Sequence, residues 1–298
     1  MKTDKAIQLN QTWELAKWRN EDWLPDDYYD APWKSESNPI IIGGCPRSGS
    51  TILRLLLGSH QEIVDGPETH LFLPLPIDIE RLEKRFHMTP NSLNEIYKLA
   101  TCRGEFIDGF QKLLLAQSGC SRWLEKTSRN VHAFGWIQKR FPFAKLLHIL
   151  RDPRDVVVSL RTHPQYLRGK DERIKSNWYH PWKDCVDRWK RCVKDGISFR
   201  GDVGYLEVKY EKLVENPTKV LKTICNHIGI KFNSSMLSIQ ARKSRISGVQ
   251  RAFVINNLEA GNLITKRRVG RWHRELPLDV QSYLESELNE LMLSTDYL

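Results

Sequence analysis

The sequence predicts an α/β fold, a three-layer sandwich built around a mostly parallel central sheet. Three observations predict it. Apolar runs of strand length alternate with helix-period segments along most of the chain. The run at 40–42, Ile-Ile-Ile, passes through Gly43 and Gly44 into a polar turn and then an apolar-periodic segment at 52–57, so a strand feeds a helix through a tight turn. The run KLLHIL at 145–150 reads as a second buried strand, with Asp152 as N-cap and Pro153 as first residue of the helix behind it.

Taken in order, residues 1–38 form an aromatic-rich arm holding Trp13, Trp18, Trp23, Tyr28, Tyr29 and Trp33, with Pro25 and Pro32 interrupting it. A short helix is expected over 11–19, then extended chain packing over the main domain, 39–298. A short strand ends near Gly66, and helical signals follow at 79–86, 92–100 and 105–117. Trp123–Lys126 reads as a strand, followed by a helix to about Arg140. After the helix at 152–161, residues 162–180 read as a loop, 181–199 as an amphipathic helix, and 205–210 as a strand. Asn216-Pro217 opens a further helix, 246–276 is a long irregular stretch rich in Gly, Asn and basic residues, and a helix at 278–292 closes the chain. In such sheets ligands bind beyond the carboxyl ends of the strands.

Composition bounds the function. A chain of 298 residues with 40% hydrophobic content supports one large core. It contains no run of 18 apolar residues, so no membrane-spanning segment is expected. The first residues lack the apolar segment of a signal peptide, and the six cysteines include no CxxC pair. Free thiols in a reducing, cytoplasmic setting are therefore expected. The net charge of +10 suits a polyanionic ligand, but the cations are dispersed and form no arm for nucleic acid.

The most informative stretch is the turn at 44–51. Gly44, Gly49, Ser50 and Thr51 follow the spacing of a nucleotide-binding P-loop, except that Ser50 stands where the loop's lysine belongs. Without that lysine, and with Arg47 inside the turn as its one cation, the loop suits an anion of fewer charges and no metal. Backbone N–H groups and the start of a helix would complete the anion site. The plainer alternative is a Gly-containing turn with no ligand.

Cys45–Thr51, CPRSGST, resembles the 5′-phosphosulfate loop of sulfotransferases that use 3′-phosphoadenosine 5′-phosphosulfate (PAPS), where Golgi and many bacterial members carry Arg at the position of Arg47. The resemblance runs over about residues 39–275. It implies that Pro46, Arg47, Ser48, Gly49, Ser50 and Thr51 hold the phosphosulfate. It also implies that Arg151 and Ser159, in RDPRDVVVS, hold the 3′-phosphate. For Arg151 the alternative is a helix-start ion pair with Asp155. Tyr210 resembles the family tyrosine near adenine, and KRRVGRW at 266–272 resembles the segment that closes on the 3′-phosphate, with Gly270 and Trp272 matching its G-x-W. Which of Lys266, Arg267 and Arg268 would touch phosphate is left open. Ile52 stands where cytosolic members have an adenine-stacking Trp.

Sulfuryl transfer needs a base for the acceptor and positive charge for the transferring and leaving groups. GPETHLF at 66–72 resembles the glutamate-bearing segment of tyrosylprotein sulfotransferases, which implies Glu68 as base with His70 as rival. Lys126 matches a family lysine near the leaving oxygen. The alternatives are a helix-start acid for Glu68 and a surface role for Lys126. The function expected is transfer from PAPS to a hydroxyl of a small-molecule or glycan acceptor, whose pocket would draw on 78–118 and on Trp178, Tyr179 and Trp182. A P-loop kinase and a non-catalytic nucleotide or anion binder remain the competing readings.

Overall fold

The structure, a computed structural model, describes residues 32–162, 180–237 and 266–298, and two short strands between the first two of these segments. Five parallel strands form the central sheet in the order β2-β3-β1-β4-β7. They are β1 (Ile40–Gly44), β2 (Ile63–Asp65), β3 (Arg122–Lys126), β4 (Lys145–Leu150) and β7 (Tyr205–Lys209). Two further strands, β5 (Gln165–Arg168) and β6 (Arg173–Ser176), pair antiparallel where a loop was expected.

The central strands are continuous apolar runs because helices cover both faces of the sheet. Alternate residues serve alternate layers. Ile41, Leu146 and Leu150 pack with Phe72, Phe134 and Trp189, whereas Ile40, Ile42, Leu147 and Ile149 pack with Leu53, Leu221 and Ile224. Helix α1 (Ser50–Leu57) follows β1 directly. Helices α2 (Ile79–Phe86), α3 (Ser92–Leu99) and α4 (Arg103–Ser118) fill the connection from β2 to β3. β3 leads through a 3₁₀ turn, Ser128–Ala133, into α5 (Phe134–Arg140), so the single expected helix is split. The turn lies against β1 where Gly43 has no side chain, since a Cβ there would stand 2.6 Å from the Val131 nitrogen.

β4 is followed by α6 (Pro153–Arg161), with the Asp152 side chain accepting from the Arg154 N–H and Pro153 in the first turn, as expected. Helix α7 (Trp182–Ile197) precedes β7. The strand expected to run to Tyr210 ends at Lys209, and Tyr210 begins α8 (Tyr210–Glu215). Tyr210, Leu213 and Val214 are buried in one cluster at helical spacing, and that packing outweighs the strand preference of tyrosine. Then come α9 (Pro217–Ile228), α10 (Trp272–Glu275) and the terminal α11 (Leu278–Ser294). Of the arm, residues 32–38 are described. Trp33 meets Phe141 edge-on at 5.7 Å, and the Ser35 hydroxyl donates to Asp108 at 2.6 Å. The expected helix at 11–19 lies outside the described residues, as does most of 246–276.

All six cysteines are free. Cys45, at the end of β1, is backed by a polar chain from α7 and the 3₁₀ turn. His132 Nδ1 donates to Asp195 Oδ2 at 2.5 Å, and its Nε2 faces Cys192 Sγ at 3.5 Å. Burial opposes charge on His132, but Asp195 and Cys192 outweigh it and raise the imidazole to about 9. A raised histidine contributes stability that is complete below its ordinary value near 6.5 and is lost as pH rises through about 9. Asp195→Asn should therefore lower Tm clearly at pH 6, with the deficit shrinking toward zero above pH 9, as measured by thermal unfolding across that range.

Candidate functional site

Register brings the carboxyl ends of the strands to one edge, where Gly44 pairs with Ile149 and Ile42 with Lys126. Five of the expected site residues meet there in one cluster: Arg47, Gly49, Arg151, Ser159 and Tyr210. Arg47 has a φ of 76°, and its Nε donates to the Ser159 hydroxyl at 3.2 Å. Left-handed backbone at a non-glycine residue is costly and concentrates at functional sites. Ser50 Oγ lies 3.0 Å from Ser128 Oγ, and the Ser48 hydroxyl is buried without a protein partner. Pro46 and Thr51 flank the turn, both half-buried.

Arg151 is buried at the end of β4 and ties three segments together. Nη1 donates to the Arg47 carbonyl at 3.1 Å, and Nη2 reaches Asp155 at 3.3 Å and the Arg268 carbonyl. The helix-start ion pair with Asp155 is thus present, but as one arm of a wider clamp. The guanidinium also stacks 4.5 Å above the Tyr210 ring, which itself lies against Gly49. Asp155 is fully buried and accepts from the backbone N–H of Gly270 at 2.9 Å and of Trp272 at 3.1 Å, docking the C-terminal segment on the site. Trp272 covers Arg154 at 4.1 Å.

The basic triplet divides. Arg268 lies close enough to Arg47 to act on it electrostatically, whereas exposed Lys266 sits 3.6 Å from Glu215. The Arg267 side chain is exposed in the same 3₁₀ turn. Burial first, then Arg268, Arg151 and Arg271, lower Arg47 from its ordinary value. Cations packed this way repel one another, and Arg151 Nε is a further buried donor with no protein acceptor. The cluster has the charge and the spare donors of a site for a polyanion.

A second group forms beside it, at the ends of β2 and β3. Lys126, largely buried rather than on the surface, bonds Glu68 Oε1 through its ammonium, and His70 Nε2 stands 3.9 Å from Glu68 Oε2. Glu68 lies in the loop after β2 and not at a helix start. Burial pushes its carboxyl up, but Lys126, His70 and Arg54 together hold it below the usual carboxylate range. Burial lowers His70, against the pull of Glu68 and with help from Arg81, Arg129 and Arg85, so the ring is neutral at pH 7. The pair at neutral pH is therefore a carboxylate and a lysine cation, with a neutral imidazole beside them.

Residues 39–234 match the family model described as "Sulfotransferase family". The chain belongs to the sulfotransferase family. Among its relatives, a zebrafish (Danio rerio) protein-tyrosine sulfotransferase 1 is 24% identical over 247 residues, 81% of this chain and 67% of that protein. Protein-tyrosine sulfotransferase A of Caenorhabditis elegans is 24% identical over 257 residues, 83% of this chain and 64% of its own length. The fold is shared with the sulfotransferase domain of an olefin synthase from Synechococcus PCC 7002, with a TM-score of 0.60 and 22% identity over 89% of this chain and 97% of that one. A mouse sulfotransferase complexed with PAP shares it with a TM-score of 0.54 and 16% identity, over 93% and 92% of the two chains.

Several residues of these two clusters are not picked out by the sequence. Asp155 was visible as a partner for Arg151, but its grip on Gly270 and Trp272 depends on a contact spanning more than a hundred residues. Asp65 ends β2, and its carboxylate is held 3.5 Å from Arg54. Among the described residues no cluster of His, Cys, Asp and Glu is arranged to hold a metal ion. Glu125 and Thr127 flank Lys126 and are fully buried, and an acid inside a buried strand was their one signal.

Gly49 is a position where only glycine fits. Its φ is 97°, and a Cβ would stand 2.4 Å from Tyr210 Cδ2, whereas Gly119 has φ 67° and open space around its missing Cβ. Gly119→Ala should lose only backbone strain, about 1–3 kcal/mol. Gly49→Ala should lose that and displace Tyr210 as well, so its Tm should fall several degrees further in parallel thermal melts.

Proposed function

We propose that the protein transfers the sulfuryl group of PAPS to a hydroxyl of a small-molecule or glycan acceptor that itself carries negative charge. The observation that carries the donor half is the arginine cluster with its unpartnered donors, Ser48 Oγ and Arg151 Nε. The loop residues Pro46 to Thr51, with Arg47 as the cation, would hold the phosphosulfate. Arg151, Ser159 and Arg268, with Gly270 beside them, would hold the 3′-phosphate, and Tyr210 would stand near the adenine. Ile52 is buried in the core and offers adenine no stacking face. PAPS supplies an activated sulfuryl group, and the protein supplies placement and charge.

Glu68 is our choice of base. It is ionised at neutral pH, and Lys126 weakens its basicity in the free enzyme. An anion near Lys126 competes for the ammonium and frees the carboxylate for the acceptor proton. His70, neutral with a buried unpartnered Nδ1, is the second candidate. The acceptor's charge is argued from the cations around His70, since Arg81, Arg129 and Arg85 all act on the ring. A reducing, cytoplasmic setting accords with the free thiols, and no described helix is long and apolar enough to cross a membrane.

Arg47→Ala should cut kcat more than tenfold, a loss above about 1.4 kcal/mol. Wild-type protein should bind adenosine 3′,5′-bisphosphate far more tightly than 5′-AMP by calorimetry. Equal affinities would remove the 3′-phosphate site from the proposal. Glu68→Gln should lower kcat by about 10²–10⁴ with the bisphosphate affinity unchanged, while His70→Ala stays mild. The reverse pattern would move the base to His70. Acceptor charge is tested with labelled PAPS and matched alcohols with and without a carboxylate. The anionic member of each pair should show the lower KM, and Arg129→Ala should narrow the gap. A tyrosine peptide run alongside tests the acceptor class of the named relatives.

A further inference from the structure

The segment carrying Glu68 and His70 has no regular structure, yet it is held as tightly as a strand. Glu125, one residue before Lys126, is 1% exposed. Its Oε1 accepts from the Thr69 N–H at 3.2 Å, the Thr69 hydroxyl at 3.0 Å and the Thr127 hydroxyl at 2.7 Å. Its Oε2 accepts from the Thr127 N–H at 3.0 Å and from the Asn130 amide. Each threonine hydroxyl spends its single hydrogen on Glu125 and offers its oxygen onward. Thr127 Oγ1 accepts from the His70 N–H at 3.3 Å, and Thr69 Oγ1 from the Leu71 N–H at 3.2 Å. Five donors of this network point at one carboxylate, a job that a group with hydrogens of its own cannot do.

The consequence falls on the neighbours. Thr69 sits between Glu68 and His70, and Thr127 follows Lys126, so Glu125 binds the residues next to both members of the Lys126–Glu68 pair. His70 is left-handed, with φ 61°, a conformation that persists at such a residue only where surrounding bonds over-determine it. We propose that Glu125 is a positioning residue for sulfuryl transfer, which sets Glu68 against Lys126 and holds His70 in its left-handed turn through Thr69 and Thr127. The proposal rests on Glu68 or His70 serving the reaction, as argued above.

The test compares Glu125→Gln, Thr69→Val and Thr69→Ser with wild type. Gln would turn an amide N–H₂ toward donors, Val removes the hydroxyl at constant volume, and Ser restores it. Glu125→Gln and Thr69→Val should lower kcat about 10–100-fold, the loss expected when a reacting group moves by about 1 Å. Their affinity for adenosine 3′,5′-bisphosphate should stay within about twofold, and Thr69→Ser should keep kcat within about threefold. As Glu68 loosens from Lys126 its carboxyl returns upward, so the acid limb of the kcat/KM profile for PAPS, which reports the free enzyme, should move to higher pH in both weakened variants. The His70 imidazole, read by NMR without turnover, should titrate closer to 6.5. If Glu125→Gln does not fold, Thr69→Val against Thr69→Ser carries the test. An unmoved acid limb and imidazole, or a Thr69→Ser as poor as Thr69→Val, would overturn the positioning role. A fully active Glu68→Gln would instead remove Glu68 as base, and the His70 titration would still report on the network.

Discussion

Asp155 is the buried carboxylate on which the arginine cluster of this protein depends. Its Oδ2 answers Arg151 and takes the backbone N–H of Gly270, and its Oδ1 takes that of Trp272. Arg47 and Arg268 stand in the same neighbourhood, while Arg271, also close, is answered by Glu275. Two like charges 4 Å apart repel by about 4 kcal/mol at an effective dielectric near 20, so one carboxylate cannot neutralise the group. The fold tolerates the excess because β1, β4 and α1 are pinned by apolar packing on both faces of the sheet. An anion that relieves it binds the folded protein alone and stabilises it by mass action.

The strand–turn–helix at the start of the domain was legible because its signals are local. Three consecutive isoleucines, two glycines and an apolar-periodic helix need no distant partner to be understood. Arg47 and Arg151 were legible for the same reason, each lying just beyond an obvious strand. The end of β7 was not, because Tyr210 fits a strand by propensity and a helix by the burial of Leu213 and Val214, and only packing decides. The β5–β6 ribbon carries polar sequence with no alternation to announce it. Glu125 was hidden differently. An acid within a strand reads as an edge or surface residue until the threonines that satisfy it, one of them from a remote loop, are brought alongside.

The two halves of the site solve opposite charge problems with the same sheet edge. On the β4 side, cations exceed carboxylates and the deficit is left for a ligand. On the β2–β3 side, Lys126 and Glu68 neutralise each other before any ligand arrives. That difference explains why the buried acids are distributed as they are. Asp155 faces the cluster directly, whereas Glu125 is turned away from Lys126 and spends its charge on backbone and hydroxyl hydrogens. If Glu125 paired with Lys126 instead, Glu68 would lose its partner and the strap holding His70 would lose its acceptor.

A carboxylate already bonded to an ammonium is a poor base, and a lysine already bonded to a carboxylate is a poor stabiliser of new negative charge. Both become useful at once when a second anion draws the ammonium toward the P-loop-like turn after β1. Lys126 ends β3, the strand hydrogen-bonded to β1, and its ammonium bonds Glu68 at the same edge of the sheet as the turn after β1. In the proposed reaction, basicity at Glu68 would thereby be coupled to occupancy of the arginine site, and the proton acceptor would be weakest with no donor there to react. The coupling needs no moving domain and no metal. It requires only that Glu68 stay where Lys126 left it, and that makes the rigidity of the 68–71 strap part of the chemistry.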